Sequence, residues 1–125
     1  MILLDSSAWV EMFRGNSLGN KIQEIIIGNV IYTCTLSIAE IAKWCAENGL
    51  NEEKYIKIIE ENSTLLSLKR DDLIFAGKLC VFHKKKVHNF GLVDACIYAS
   101  AHLHGAVVLT TDHHFKGLEG IELLE

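Results

Sequence analysis

The stretch GLVDACIYASAHLHGAVVLTTDHHF (91–115) decides the fold. Residues 92–104 are mostly small or apolar and of helical length, whereas AVVLT (106–110) is an aliphatic, β-branched run of strand length. Gly105 marks the boundary between them, so this segment is a buried helix delivering the chain into a strand. Working outward, ILLD (2–5), VIYTC (30–34), TLLSL (64–68) and IELL (121–124) have the same strand character. Helical patterns fill the intervals, over residues 6–14, 17–27, 37–48, 52–62, 71–85 and 92–104. Repeated strand-then-helix order predicts an α/β fold whose central, mostly parallel sheet is covered by helices on both faces. No repeat, linker or low-complexity tract interrupts it, so residues 1–125 are expected to form one domain.

Composition excludes several function classes. Twelve Lys and Arg against sixteen Asp and Glu give a net charge of −4, which opposes bulk attraction to nucleic acid phosphates. Any nucleic acid contact must then be local, and the one dense basic run is Lys84, Lys85 and Lys86. Cys34, Cys45, Cys80 and Cys96 are widely spaced among apolar neighbours and read as small buried hydrophobes rather than disulfide partners. The opening MILLDSSAWVE meets an acid after four residues, unlike a secretory signal, and the most apolar stretch (25–39) is too short to cross a bilayer. A cytoplasmic protein without a membrane partner is expected.

Four acids carry the chemistry. Open parallel sheets place their ligands at the carboxyl edge of the strands, and Asp5, Glu40, Asp94 and Asp112 all fall at strand ends or in the first turns of helices. Each has a structural reading. Asp5 can cap the first helix, and Ser37 with Glu40 spells a capping box worth ~1 kcal/mol. Asp94 lies where a helix dipole favours an anion, and Asp112 suits an Asx turn or a cap. Their joint placement points further. Apolar neighbours surround three of them, in ILLD, IAEIA and LVDAC, and unpaired buried carboxylates cost several kcal/mol. No Lys or Arg lies between Gly91 and Gly105, so a hard divalent cation is the better partner, Mg²⁺ or Mn²⁺ by ligand type. Such a site suits hydrolysis of a phosphodiester.

LLDSSAWVEMFRG (3–15), SIAEIAKW (37–44) and GLVDACIYASAHLHGAVVLTTDHHFKGLEGIELL (91–124) resemble the PIN-domain ribonucleases, especially VapC-type toxins of toxin–antitoxin pairs. The resemblance implies a PIN-like (Rossmann-like) α/β/α sandwich and a metal-dependent endoribonuclease, a hydrolase of RNA phosphodiester bonds. It implies that Asp5, Glu40, Asp94 and Asp112 are the catalytic and metal-binding set, with Asp5 and Asp94 the first ligands and Glu40 and Asp112 completing the pocket or holding a second ion. Ser7 and Thr110 match supporting polar positions. A further acid that some relatives carry after the fourth is replaced by His113 or His114. Homodimers and a cognate VapB-like antitoxin, lying over the groove with an Arg near the acids, are implied partners. Arg14 and Lys84–Lys86 are candidates for RNA backbone contact.

Other readings are weaker. His102 and His104 are two apart and face different sides of a helix, and no Cys/His set has structural zinc spacing. A phosphoacceptor receiver fold lacks the acid its third strand would need. Trp9, Phe13 and Trp44 fit core packing better than base stacking. Two alternatives stand beside the toxin: a catalytically silent PIN-like protein-binding module, whose acids only cap helices, and a housekeeping RNA-processing nuclease.

Overall fold

The computed structural model describes residues 1–125. The chain runs β1 (Ile2–Leu4), α1 (Ser6–Arg14), α2 (Ser17–Ile26), β2 (Ile31–Cys34), α3 (Thr35–Glu47), α4 (Glu52–Asn62), β3 (Thr64–Leu66), α5 (Arg70–Lys84), α6 (Leu92–Leu103), β4 (Val107–Thr110), a 3₁₀ turn (His113–Phe115) and β5 (Ile121–Leu123). The five strands form one sheet in the order β3-β2-β1-β4-β5, and every pairing is parallel. β1 is central: Leu3 pairs with Tyr32 on one side and Val108 on the other. All three of its residues are buried, which is why Ile-Leu-Leu shows no polar alternation.

Strand side chains divide by parity between two cores. Ile2 and Leu4 of β1, Ile31 of β2 and Leu109 of β4 point into a core with Trp9, Ile22, Ile41 and Ile59, so α1–α4 cover that face. Leu3, Cys34, Leu66 and Val108 meet Ala76, Phe90, Ile97 and Phe115, so α5 and α6 cover the other. The division follows from topology. The chain steps from β1 to β2 to β3 in one direction and then returns past β1 to β4, and crossovers of constant hand put the returning helices on the opposite face. No helix is long and apolar enough to cross a membrane. The four cysteines are free, and Cys34, Cys45 and Cys96 are buried as small apolar side chains.

The first helical pair is fixed by two glycines. Gly15 ends α1 in the left-handed region (φ 66°) and donates its N–H to the Met12 carbonyl. Gly19 then lets α2 pass against α1, because a Cβ there would sit 2.2 Å from the Glu11 carbonyl oxygen. Helix α3 begins at Thr35, earlier than the pattern indicated, with no side-chain cap at Cys34. The expected Ser37–Glu40 capping box is therefore absent. Ser37 is buried inside the first turn with its hydroxyl unpaired, and Glu40 is released for another partner.

Candidate active site

Strand order reverses at β1, and doubly wound sheets place their ligands beside the carboxyl ends of the strands at such a point, here β1 and β4. Asp5 follows β1 directly and Asp112 stands two residues beyond β4. Asp5 is the most enclosed of the acids, only 2% exposed. Its Oδ1 accepts the Ala8 N–H at 3.0 Å and the Ser7 hydroxyl at 2.7 Å, and its Oδ2 accepts the Thr110 hydroxyl at 2.6 Å. Burial nevertheless dominates and pushes the Asp5 carboxyl up from 3.8 to about 6, with the charge of Asp112 adding to the rise.

Ser7 and Thr110 tie the two strand ends together. The Ser7 hydroxyl accepts the Thr111 N–H at 3.1 Å, the Thr110 hydroxyl accepts the Asp112 N–H at 2.9 Å, and the hydroxyls lie 3.2 Å apart. Each therefore supports an acid from behind. The side chain of Asp112 accepts the His114 N–H at 2.9 Å, so it caps the 3₁₀ turn. Asp94, in the first turn of α6, accepts the Gly91 N–H at 3.0 Å. Glu40 reaches over from α3, where its Oε1 takes the Ser6 hydroxyl at 3.0 Å. Burial raises both Glu40 and Asp94. Glu40 is raised further by the charges of Asp94 and Asp112, and Asp94 by that of Asp112.

All four predicted acids thus share one field at one edge. Within it, ligand atoms of Asp94, Asp112 and His114 lie within 4.8 Å of one another. Such a set fits a divalent cation by donor chemistry: two carboxylates and an imidazole, partly buried and short of positive charge. Asp5 and Glu40 stand outside this closest triad, each held by hydroxyls.

Residues 2–121 match the family model of the PIN domain. The chain belongs to the PIN domain family. No curated protein sequence matches it. Solved structures similar to this PIN domain include the Mycobacterium tuberculosis VapC20 toxin, described as cleaving the sarcin–ricin loop, at 16% identity and a TM-score of 0.80 over 100% of both chains. A toxin–antitoxin complex from Klebsiella pneumoniae matches at 16% identity and a TM-score of 0.76, over 98% of this chain and 96% of that one. VapBC2 from Rickettsia felis, bound to promoter DNA, matches at 18% identity and a TM-score of 0.74, over 99% and 98%.

Among the basic candidates of this PIN domain, Arg14 shares a cavity of about 330 Å³ with Ser6, Ser7, Glu40 and Lys43, adjoining the acids. It also pairs with Glu11 at 3.2 Å. Lys84, Lys85 and Lys86 are exposed and make no ion pair; Lys86 lies over the Phe82 ring. Trp9 is buried and donates to the Thr33 hydroxyl at 3.1 Å, and Phe13 stacks between Trp9 and Trp44, consistent with packing roles. Sequence reasoning overlooked Ser6, whose only signal was its place in the Asp-Ser-Ser turn. It left open which histidine faces the acids. His113 turns outward to Glu125 at 3.6 Å, and His114 turns inward.

Proposed function

We propose that this PIN domain is a Mg²⁺- or Mn²⁺-dependent endoribonuclease, the cytoplasmic toxin of a type II VapBC-like toxin–antitoxin pair. The observation that carries this reading is the convergence of Asp94, Asp112 and His114, with the charges of Asp5 and Glu40 beside them, at the switch point of the sheet. Asp5, held by Ser7 and Thr110, and Asp94 would be the first ligands of the cation, with Asp112 and Glu40 completing the pocket. Glu40 keeps Oε2 free of protein partners and, with its affinity for protons raised, is suited to accept one from an incoming water. Bound there, the cation would polarise the scissile phosphate and stabilise the leaving oxygen. Arg14 in the adjoining cavity, and Lys84–Lys86, supply positive charge for an RNA backbone that a net charge of −4 otherwise repels.

Two surfaces support the partners. Leu73, Ile74, Val81 and Phe82 of α5, with Leu92 and Val93 at the start of α6, leave an exposed apolar face suited to a second copy in a homodimer. A separate groove of about 420 Å³ between α1, α2 and α4 is lined by Trp9, Met12, Phe13, Ile26, Tyr55 and Ile58, and suits an apolar segment of an antitoxin. A small open reading frame beside the gene, encoding that antitoxin, would separate a toxin from a housekeeping RNA-processing nuclease.

One observation favours a catalytically silent binding module: Asp5, Asp94 and Asp112 each accept a backbone N–H at a helix start and so have structural work. Cleavage of single-stranded RNA by the purified chain, with Mg²⁺ or Mn²⁺ and with EDTA, decides between the two. Asp94→Asn keeps an oxygen for the Gly91 N–H, so the nuclease reading expects a folded and inactive variant. RNA left intact by the unmodified chain in both metals would favour the silent module.

A further inference from the structure

The 3₁₀ turn after β4 is built to hold one imidazole in place. Phe115 is fully buried, packed edge-on against Phe90, and anchors the turn in the core. Asp112 caps it by accepting the His114 N–H. Between those anchors His113 faces solvent and His114 faces Asp94 and Asp112, so two neighbouring histidines have opposite surroundings.

The His114 ring places Nδ1 3.3 Å from Asp112 Oδ1 and 3.7 Å from Asp94 Oδ2. The 3.7 Å contact is too long for a hydrogen bond and the 3.3 Å contact lacks the alignment of one, although both carboxylates accept well-formed bonds from backbone amides. Asp94 Oδ1 and Asp112 Oδ2 have no protein partner. Ligand atoms of the imidazole and the two carboxylates all lie within 4.8 Å of one another, a spacing that one cation could span. Two oxygen donors and one nitrogen donor at that spacing would supply half of a six-coordinate shell. Magnesium prefers an all-oxygen shell, whereas manganese and later divalent metals take imidazole nitrogen readily.

We infer that His114 is a nitrogen ligand, through Nδ1, to the cation held by Asp94 and Asp112, and that it sets the site's preference for manganese-like ions over magnesium. The inference rests on the cation-dependent reading above and adds to it a ligand and a selectivity. His114 is a binding residue for the ion, distinct from the supporting roles of Ser7 and Thr110.

The test is metal binding by the full-length chain, without RNA. MnCl₂ and MgCl₂ are titrated calorimetrically into the unmodified chain, His114→Ala, His114→Asp and the control His113→Ala, and pulsed EPR on the Mn²⁺ forms looks for ¹⁴N coupling. The expected result is ¹⁴N coupling in the unmodified chain and in His113→Ala, and none in either His114 variant. Loss of even an outer-shell partner costs a metal site about tenfold in affinity, so loss of a nitrogen ligand that Mn²⁺ uses and Mg²⁺ does not should lower the ratio of Mn²⁺ to Mg²⁺ affinity by at least about that much in both His114 variants. His114→Asp restores a charged oxygen donor, so it separates loss of nitrogen from loss of any ligand. An unchanged affinity ratio, or Mn²⁺ bound without ¹⁴N coupling, overturns the assignment. A chain that binds neither ion overturns it together with the cation-dependent reading. Nitrogen-coupled Mn²⁺ with RNA left uncut would defeat the nuclease reading alone.

Discussion

Replacing Asp5 by asparagine should make the metal-free protein more stable, although it removes a central acid of the site. Burial raises the Asp5 carboxyl from 3.8 to about 6 despite three hydrogen bonds to its oxygens. A rise of that size means that the ionised form is destabilised in the folded chain by ~3 kcal/mol at most, at 1.36 kcal/mol per tenfold change. The sign follows from proton counting. Between pH 4 and pH 6 the unfolded chain has already released this proton while the folded chain retains it, so the Asp5 contribution to stability falls as pH rises through that window. Above it the penalty is complete. Asparagine carries no charge and can keep the network: its oxygen accepts from Ala8 and Ser7, and its amide donates to the Thr110 hydroxyl, whose own hydrogen turns to Ser7. Urea unfolding in EDTA at pH 4, 5, 6 and 7 measures the effect. The variant should gain roughly 1–3 kcal/mol at pH 7, and the gain should vanish near pH 4. A variant less stable at pH 7, or a difference that does not change with pH, would refute the argument that enclosure of a charge dominates this residue.

Other expectations follow from the same contacts. Mn²⁺ should raise the melting temperature of the unmodified chain, by an amount corresponding to ~2.7 kcal/mol at one hundred times its dissociation constant, and Asp94→Asn should abolish that shift while circular dichroism stays native. Thr110→Val removes both the donor to Asp5 and the acceptor of the Asp112 N–H, so chemical denaturation should show a loss of about 1–3 kcal/mol. Gly19→Ala forces a methyl against the Glu11 carbonyl and should cost about 1–3 kcal/mol or more, read as a lower melting temperature; an unchanged value would mean that α1 and α2 separate freely.

Several parts of the architecture were legible because they are set locally. The β-branched runs and the helical intervals need only near neighbours to declare themselves, and a mostly parallel sheet follows from their alternation; the structure makes every pairing parallel. Asp94 and Asp112 were placed correctly in their turns, since capping chemistry is also local. The misreading at Ser37 shows the limit. Its pattern matched a capping box, but packing against the sheet started α3 two residues earlier, at Thr35, and turned Glu40 toward Ser6, 34 positions away.

By itself, then, the sequence determined the alternating elements, the single α/β domain and four acids at element ends, because hydrophobic period and cap preference act over a few residues. Only the tertiary structure decided that β1 lies between β2 and β4, that Thr110 reaches Asp5 across 105 positions, and that His114 rather than His113 faces the acids. Those outcomes depend on which strands pair and on a buried Phe115 orienting its neighbours. They are long-range consequences of burying one shared core, and no window of sequence contains both partners.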